Sequence, residues 1–192
     1  MPQTIGVSGD IDALEEQLIA AERDAHSVAA GLTVTQGAWR SHAGSWSIAE
    51  CLDHLAVGNR IYVPAMEESA VRARAEGRMR RRPATPGLLG GLFVRTLEPP
   101  VKARMKAPRL ILPRKDLSFP EVLADFVASQ EQVRAFLRSY ADIDLAGVRF
   151  RNPFVPGLRF SLATGLHVIA AHERRHLWQA WRVRGAIGAS RF

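Results

Sequence analysis

Two histidines separated by three residues stand out in the run His172-Glu173-Arg174-Arg175-His176. If this stretch is helical, the two imidazoles fall about 40° apart around the axis and can reach one ion from the same face. Two buried imidazoles side by side are unfavourable unless something binds them. The spacing therefore predicts a metal site to which His172 and His176 supply two ligands.

A metal ion with exchangeable chemistry usually needs a third protein ligand, and the best candidate in the chain is His54. On a helical wheel His54 flanks the apolar stripe of its predicted helix, so its side chain can face the interior of a bundle. A histidine at such a position is, however, more often a hydrogen-bonded core residue than a ligand. The residues alone leave both interpretations of His54 open.

Glu173 falls within the apolar arc of its predicted helix, where an unpaired carboxylate is costly. We expect it to orient a ligand, to act as an acid or base, or to lie at an exposed helix edge. His-Glu-x-x-His is also the motif of zinc metalloproteases, which take a third ligand downstream. The residues that follow His176 include no His, Asp or Glu, so a metalloprotease is not expected.

Other polar and aromatic residues near these positions have simpler expected roles. His167 lies about 140° from His172 on the wheel and is expected to be structural or exposed. Cys51 could approach the ion, but a small core residue is the simpler interpretation. Asp53 is expected in solvent, and Glu50 is expected to cap its helix, with a hydrogen bond to a ligand as the alternative. Four tryptophans are expected in the core or an interface, and one of them could line the pocket: Trp39, Trp46, Trp178 and Trp181.

Helical periodicity dominates the elements that must position these side chains. Apolar residues recur every three or four positions in four long stretches. Capping boxes mark two of the starts, one at Ser47 with Glu50 and one at Ser118 with Glu121. The four predicted helices run from Asp10 to about Leu32, from Ser47 to about Glu76, from Ser118 to about Tyr140 and from about Ser161 to Arg184.

The segment Gly77–Asp116 is basic, contains six prolines and interrupts the helical pattern. A short helix from about Leu88 to Leu97 is predicted within it, and the rest is expected to be loop. Residues 142–160 carry turn signals without strand alternation, and Gly185 to Phe192 are expected to fray. We therefore expect an all-α fold, a four-helix bundle with this insertion, in one domain over residues 1–192.

Two segments of the chain match patterns of a known family. The first is Trp46-Ser47-Ile48-Ala49-Glu50-Cys51-Leu52-Asp53-His54-Leu55, which looks like the pattern Trp-Ser-x-x-Glu-x-Leu-x-His-Leu, and the second is His172 to Gln179, which looks like a closing His-x-x-x-His-x-x-Gln helix. Both patterns resemble those of the DinB-like superfamily. The resemblance implies a bundle of up-down-down-up type, a divalent metal held by three histidines, and frequent homodimers. Carried over by position, the ligands are His54, His172 and His176. The insertion Gly77–Asp116 departs from the family pattern.

Three neutral imidazoles suit zinc, nickel or another late first-row ion, and they leave coordination positions open for a water or a thiol. The family includes metal-dependent hydrolases and low-molecular-weight-thiol transferases, so the resemblance implies a small-molecule substrate and possible use of a small thiol. The sequence does not choose between these two activities. A metal-bound scaffold without catalysis is a third hypothesis.

The chain has a formal net charge of +7, and many of its cations lie in and just before the insertion. Such a run could bind the phosphates of a nucleic acid or another anionic surface. No recognition-helix motif, zinc finger or pattern of stacking aromatics accompanies it, so we expect a solvated basic loop and no nucleic-acid partner. The cations are Arg72, Arg74, Arg78, Arg80, Arg81, Arg82, Lys102, Arg104, Lys106, Arg109, Arg114 and Lys115.

A single cysteine excludes an intramolecular disulfide. No stretch approaches the roughly 18 consecutive apolar residues that span a bilayer, and no secretory leader is recognisable. These features predict a cytoplasmic protein without a membrane partner.

Overall fold

The computed structural model of the chain describes residues 9–101, 106–114 and 118–189. Four long helices dominate the described part of the chain, and two short helices and a 3-10 turn join them. The long helices are α1 (Gly9–Ala29), α3 (Ile48–Ala75), α5 (Phe119–Ser139) and α6 (Leu162–Ala189), the short ones are α2 (Val34–Ala38) and α4 (Leu88–Leu97), and the 3-10 turn is Arg109–Ile111.

The four long helices form a bundle of up-down-down-up order, as expected. α1 and α6 run in one direction and α3 and α5 in the other, and both α1 and α3 pack between α5 and α6. Residue numbers rise together across a parallel pair of helices and in opposite senses across an antiparallel pair. The pairs that show this are Glu15–Arg138 and Glu22–Arg134 (α1 and α5), Arg60–Asp125 and Glu67–Tyr140 (α3 and α5), His54–His172 and Met66–Gly165 (α3 and α6), and Gln17–Arg174 and Asp24–Trp181 (α1 and α6).

Local signals fix the start of α3 but only partly that of α5. Ser47 Oγ accepts from the Glu50 amide at 3.1 Å and Glu50 Oε2 accepts from the Ser47 amide at 2.9 Å, which confirms the capping box. The box predicted at Ser118 is wrong, because the Ser118 side chain makes no cap hydrogen bond. The start of α5 depends instead on Pro120 in its first turn and on the buried Phe119.

A short β-hairpin lies where residues 142–160 were expected to hold turns without strands. Strands β1 (Arg149–Arg151) and β2 (Arg159–Ser161) pair antiparallel, with Phe150 opposite Phe160. Both phenylalanines are buried, and an exposed arginine flanks each of them. Bends and turns do occupy residues 153–157, but strands of three residues are too short for an alternation to be recognised in the sequence, which explains why the two strands were not predicted.

Three helical features of the structure differ from those predicted from the sequence. α6 continues past Arg184 to Ala189, because Val183 and Ile187 pack into the core and hold its last turns. The five-residue α2 begins with a capping box of Thr33 and Gln36. α1 ends at Ala29, one turn before the predicted end.

A polar layer crosses the bundle between two apolar clusters. One cluster contains Leu14, Tyr62, Met66, Val133 and Leu166, and the other contains Ala25, Leu52, Leu55, Phe126 and Leu177. The side chains between them are buried and polar, which is expensive unless each is hydrogen-bonded or bound to something. They are His54, Asn59, Ser129, Gln130, Glu173 and His176, with the partly exposed His172.

The described part of the insertion packs against the bundle rather than standing away from it. α4 has the predicted bounds and lies on α6, where Gly90 allows close approach, because a Cβ there would come within 2.5 Å of Thr164 Oγ1. Lys102, Arg104, Lys115 and Asp116 lie outside the described residues. No described helix is long and apolar enough to cross a membrane.

Candidate metal centre

Three histidines from two helices meet in the polar layer. His54 comes from the second turn of α3, and His172 and His176 come from successive turns of α6. One nitrogen from each lies within 4.8 Å of the other two, and Nε2 of His54 is 2.9 Å from Nε2 of His172. The structure therefore brings together the three residues that the sequence predicts as ligands.

Two hydrogen bonds fix which nitrogen of each ring faces the centre. Nδ1 of His54 lies 2.5 Å from the carbonyl oxygen of Ile111, and Nδ1 of His176 lies 3.2 Å from Oε1 of Gln179. Because both partner atoms can only accept, each Nδ1 carries the proton and donates it. The Nε2 atoms of His54 and His176 are left as lone-pair acceptors, the form that binds a metal.

Burial keeps the three imidazoles neutral. His54 and His176 are 1% and 8% exposed. Removal of water lowers the pKa of His54, lowers that of His172 to about 3 and lowers that of His176 well below its ordinary value. The neighbouring imidazoles and the Arg175 charge lower the pKa of His172 and His176 further. At neutral pH all three rings can donate a lone pair without first losing a proton.

Trp46 forms one wall of the site. Its ring centroid lies 4.7 Å from that of His54, and it stacks on His176 at 5.4 Å. An indole in this position fixes the ring planes and keeps water away from two of the three imidazoles. One of the four tryptophans therefore does line the site, and it is the one in the segment Trp46 to Leu55.

The donor set fits a late first-row divalent ion. Zinc–nitrogen bonds of about 2.0–2.1 Å in tetrahedral geometry place two ligand nitrogens about 3.3 Å apart. The 2.9 Å between the Nε2 atoms of His54 and His172 needs only a few tenths of an ångström of widening. Neutral imidazoles favour zinc, nickel and their neighbours over the oxygen-seeking magnesium and calcium. The three histidines could therefore hold such an ion.

Comparison with known proteins gives the family. The sequence model of the DinB superfamily matches residues 17–180, which include α3 and α5 entirely, most of α1 and α6, and the three histidines. This chain belongs to the DinB superfamily. No curated protein and no solved structure gave a significant match. The cluster of three histidines and the up-down-down-up bundle agree with what the resemblance of the two histidine-containing segments implies.

Glu173 lies in this DinB-type bundle among amides rather than imidazoles. Its Oε1 accepts from Asn59 Nδ2 at 3.0 Å and its Oε2 accepts from Gln130 Nε2 at 3.1 Å. The residue is fully buried, and burial raises its pKa to about 7. Glu173 does not belong to the group of ligand atoms formed by the three histidines. Its predicted role as an acid or base stays a prediction.

The same network extends across the bundle. Asn59 Nδ2 also lies 3.3 Å from Ser129 Oγ, and Gln130 Nε2 also donates to the Leu18 carbonyl at 3.2 Å. Oε1 of Gln130 is buried without a partner in the described structure. Glu173 and its neighbours thus join α1, α3, α5 and α6 through one hydrogen-bonded group.

The other candidate residues have mostly the simpler roles. Cys51 is fully buried in an apolar cluster, and burial raises the pKa of its thiol. His167 is partly buried, and its Nε2 lies 3.1 Å from the Ala84 carbonyl, so it is structural. Glu50 caps α3 and also binds Arg40 at 2.6 Å. The expectation for Asp53 is wrong: it is fully buried and binds Arg114.

Several residues around the site were not found from the sequence. The Ile111 carbonyl leaves no signal, because any residue type presents a backbone oxygen. Gln179 lies in the quoted closing motif, so its contact with His176 could have been anticipated. Asn59 and Gln130 are polar residues on otherwise apolar helix faces, which is a signal for a buried network.

Proposed function

We propose that this protein is a divalent-metal-dependent enzyme that acts on a small molecule, either as a hydrolase or as a low-molecular-weight-thiol transferase. One observation carries the proposal: three neutral imidazoles converge, and two of them donate their Nδ1 protons outward so that their Nε2 lone pairs face the centre. Lone pairs that converge in a buried place repel one another unless a cation joins them.

Zinc or nickel is the proposed metal, because three imidazoles supply nitrogen donors without a carboxylate. When bound, such an ion acts as a Lewis acid and lowers the pKa of a water or thiol that reaches it, which makes a nucleophile available near neutral pH. Three protein ligands leave coordination positions open, as catalysis requires.

The chain's own residues define how a substrate reaches the centre. His54 and His176 are covered by Trp46, whereas His172 is partly exposed. Substrate is therefore proposed to approach from the side of His172. Trp46 excludes water from the opposite side and offers an apolar face to the substrate.

The experiment that tests this proposal is a substrate screen of the zinc- or nickel-loaded protein. Esters, amides and electrophilic acceptors are each offered with and without glutathione, mycothiol or bacillithiol. Turnover without thiol identifies a hydrolase, and turnover that requires thiol identifies a transferase. His172→Ala should be inactive and His167→Ala fully active. Absence of turnover with the metal bound would leave the non-catalytic scaffold as the better hypothesis.

The basic run is less available to a polyanion than its composition indicates. The Arg80 side chain is 7% exposed and pairs with Asp10, and Arg82 binds Asp144 through two contacts at 3.0 and 3.1 Å. Cations already paired within the fold contribute little to binding of phosphates. These contacts support a structural role for this part of the run and disfavour nucleic acid as the partner.

We also propose that the protein forms a homodimer in the cytoplasm. Leu88, Leu89 and Leu92 at the start of α4 are 95%, 84% and 63% exposed, and a cluster of exposed leucines favours contact with another surface. Analytical ultracentrifugation of the wild type should give a dimer, and Leu89→Gln should shift it toward monomer. A wild-type monomer at micromolar concentration would contradict the dimer.

A further inference from the structure

The segment from Arg109 to Arg114 packs on α3 and contacts His54, one of the three candidate ligands. The Arg114 guanidinium donates from Nε and Nη2 to Asp53 Oδ1 at 2.8 and 2.5 Å, and the Arg114 backbone amide donates to Asp53 Oδ2 at 2.8 Å. Three donors from one residue thus satisfy a single carboxylate. The segment is part of the insertion, which the sequence predicted as a solvated basic loop.

Asp53 needs this partner because its side chain is fully buried. A buried carboxylate without a partner is strongly unfavourable, whereas hydrogen bonds from a charged guanidinium to the carboxylate offset much of that penalty. Nη2 of Arg114 also binds Asp125 on α5 at 2.7 Å. The hydrogen bond to Asp53 raises the pKa of Arg114, so the guanidinium stays charged. Arg114 therefore ties the insertion to α3 and α5 together.

The contact between Arg114 and Asp53 affects His54, the residue after Asp53. Asp53 directly precedes His54 on α3, and Ile111 lies three residues before Arg114. The Ile111 carbonyl accepts the Nδ1 proton of His54, and Ile111 itself is 4% exposed and so packed in place. If the segment shifted, this oxygen would leave Nδ1, and the hydrogen bond that favours the tautomer whose Nε2 faces the other two histidines would be lost.

We infer that Arg114 is a positioning residue of the metal centre: by clamping Asp53 it holds the Ile111 carbonyl on His54 and so fixes the tautomer that can bind the ion. The inference deepens the proposed function and rests on it, because it assigns a role to the insertion in that same metal site. Arg114 touches neither substrate nor ion in this role. Its effect passes entirely through Ile111 and His54.

The test compares Arg114→Ala and Arg114→Lys with Arg82→Ala as the matched control. Arg82 also donates from Nε and Nη2 to a carboxylate, that of Asp144, and takes no part in the hydrogen bonds described for His54, His172 and His176. Two readouts are taken on folded protein: the tautomer of His54 in the metal-free state, from side-chain ¹H–¹⁵N spectra, and the dissociation constant for Co²⁺, from its visible absorption. Urea unfolding of the metal-free variants reports stability separately.

The wild type and Arg82→Ala should show His54 protonated at Nδ1 and should bind Co²⁺ with the same affinity to within about twofold. Arg114→Ala should shift His54 toward the Nε2-protonated form and weaken Co²⁺ binding by about 10- to 100-fold. Arg114→Lys should lie between them, because lysine keeps the charge but lacks the paired Nε and Nη2 donors. Asp53→Asn should reproduce the tautomer shift.

A different pattern would overturn the inference. If Arg114→Ala lowers stability but leaves both the tautomer and the Co²⁺ affinity at wild-type values, then Arg114 is structural only. If Arg114→Ala fails to fold, Arg114→Lys and Asp53→Asn decide on the same two readouts. If the proposed metal site is wrong, the wild type itself will not bind Co²⁺. The tautomer of His54 in the metal-free protein still tests the role of Arg114 in that case, so the two failures can be distinguished.

Discussion

Two neighbouring residues of α6 show two ways of burying a polar group. His172 turns toward His54 and His176, where ring nitrogens converge on one another. Glu173 points about 100° away around the helix, and both of its oxygens accept from amides on α3 and α5. In the first group the Nε2 acceptors of His54 and His176 face a common centre, whereas the carboxylate of the second already accepts two hydrogen bonds.

This difference indicates whether each group contributes mainly to stability or to metal binding. Hydrogen bonds within the protein offset the desolvation of the Glu173 carboxylate, so this group contributes to stability without a ligand. A set of lone pairs that faces inward remains costly until a ligand joins it. We therefore expect changes to the histidines to act mainly on metal binding, and changes around Glu173 to act mainly on stability.

The largest expected effect is on metal affinity. Replacement of His54, His172 or His176 by Ala removes one of three ligands and should raise the zinc dissociation constant by about a thousandfold or more. His42→Ala and His167→Ala are the controls and should leave it nearly unchanged. Competition titration with a chromophoric chelator measures these constants. Equal losses in all five variants would break the distinction between ligands and other histidines.

The next largest effect is on the free energy of unfolding, through Glu173, which lies on a different face of α6 from His172. Glu173→Ala leaves the donors of Asn59 and Gln130 unsatisfied and opens a cavity, so unfolding in urea should become easier by about 2–4 kcal/mol. Glu173→Gln keeps the volume and should cost less. Zinc affinity of Glu173→Gln should change by less than about tenfold. A loss of affinity as large as in the histidine variants would contradict the separation of the two groups.

The two groups should also respond to pH in opposite senses in the metal-free protein. Folding raises the pKa of Glu173 from 4.5 to about 7, so the folded chain keeps a proton that the unfolded chain releases, and stability falls as pH rises through this window. Folding lowers the pKa of His172 from 6.5 to about 3, so stability rises with pH between those values.

Urea unfolding between pH 5 and about 6.5 should separate these contributions. Relative to the wild type, Glu173→Gln should gain stability as the pH rises and His172→Ala should lose it, each by up to about tenfold in the unfolding constant per pH unit. Parallel curves for the wild type and both variants would show that neither group titrates as its burial implies.

The smallest expected effect comes from the loss of the hydrogen bond between Gln179 and His176. Gln179→Ala removes the acceptor of the His176 Nδ1 proton and should weaken zinc binding by about tenfold without changing the stability of the metal-free protein. Gln179→Glu keeps an acceptor and should retain affinity. If Gln179→Ala binds zinc as the wild type does, the orientation of His176 depends on Trp46 alone.

The sequence was informative where periodicity and spacing carry the information. Four amphipathic helices, the capping box at Ser47 and the i, i+4 pair His172 and His176 could all be predicted. Contacts between distant segments of the chain could not be predicted from the sequence. The burial of Asp53 and the Ile111 carbonyl on His54 depend on how an insertion without helical periodicity folds back on α3, and no local pattern encodes that path.

Metal content shows whether His54, His172 and His176 form one metal site. The full chain would be purified without a histidine tag, dialysed against zinc or nickel and analysed by inductively coupled plasma mass spectrometry, beside His172→Ala. We expect one ion per chain in the wild type and a clear loss in the variant. A wild type that takes up neither metal, or a variant that binds as much as the wild type, would contradict this metal site.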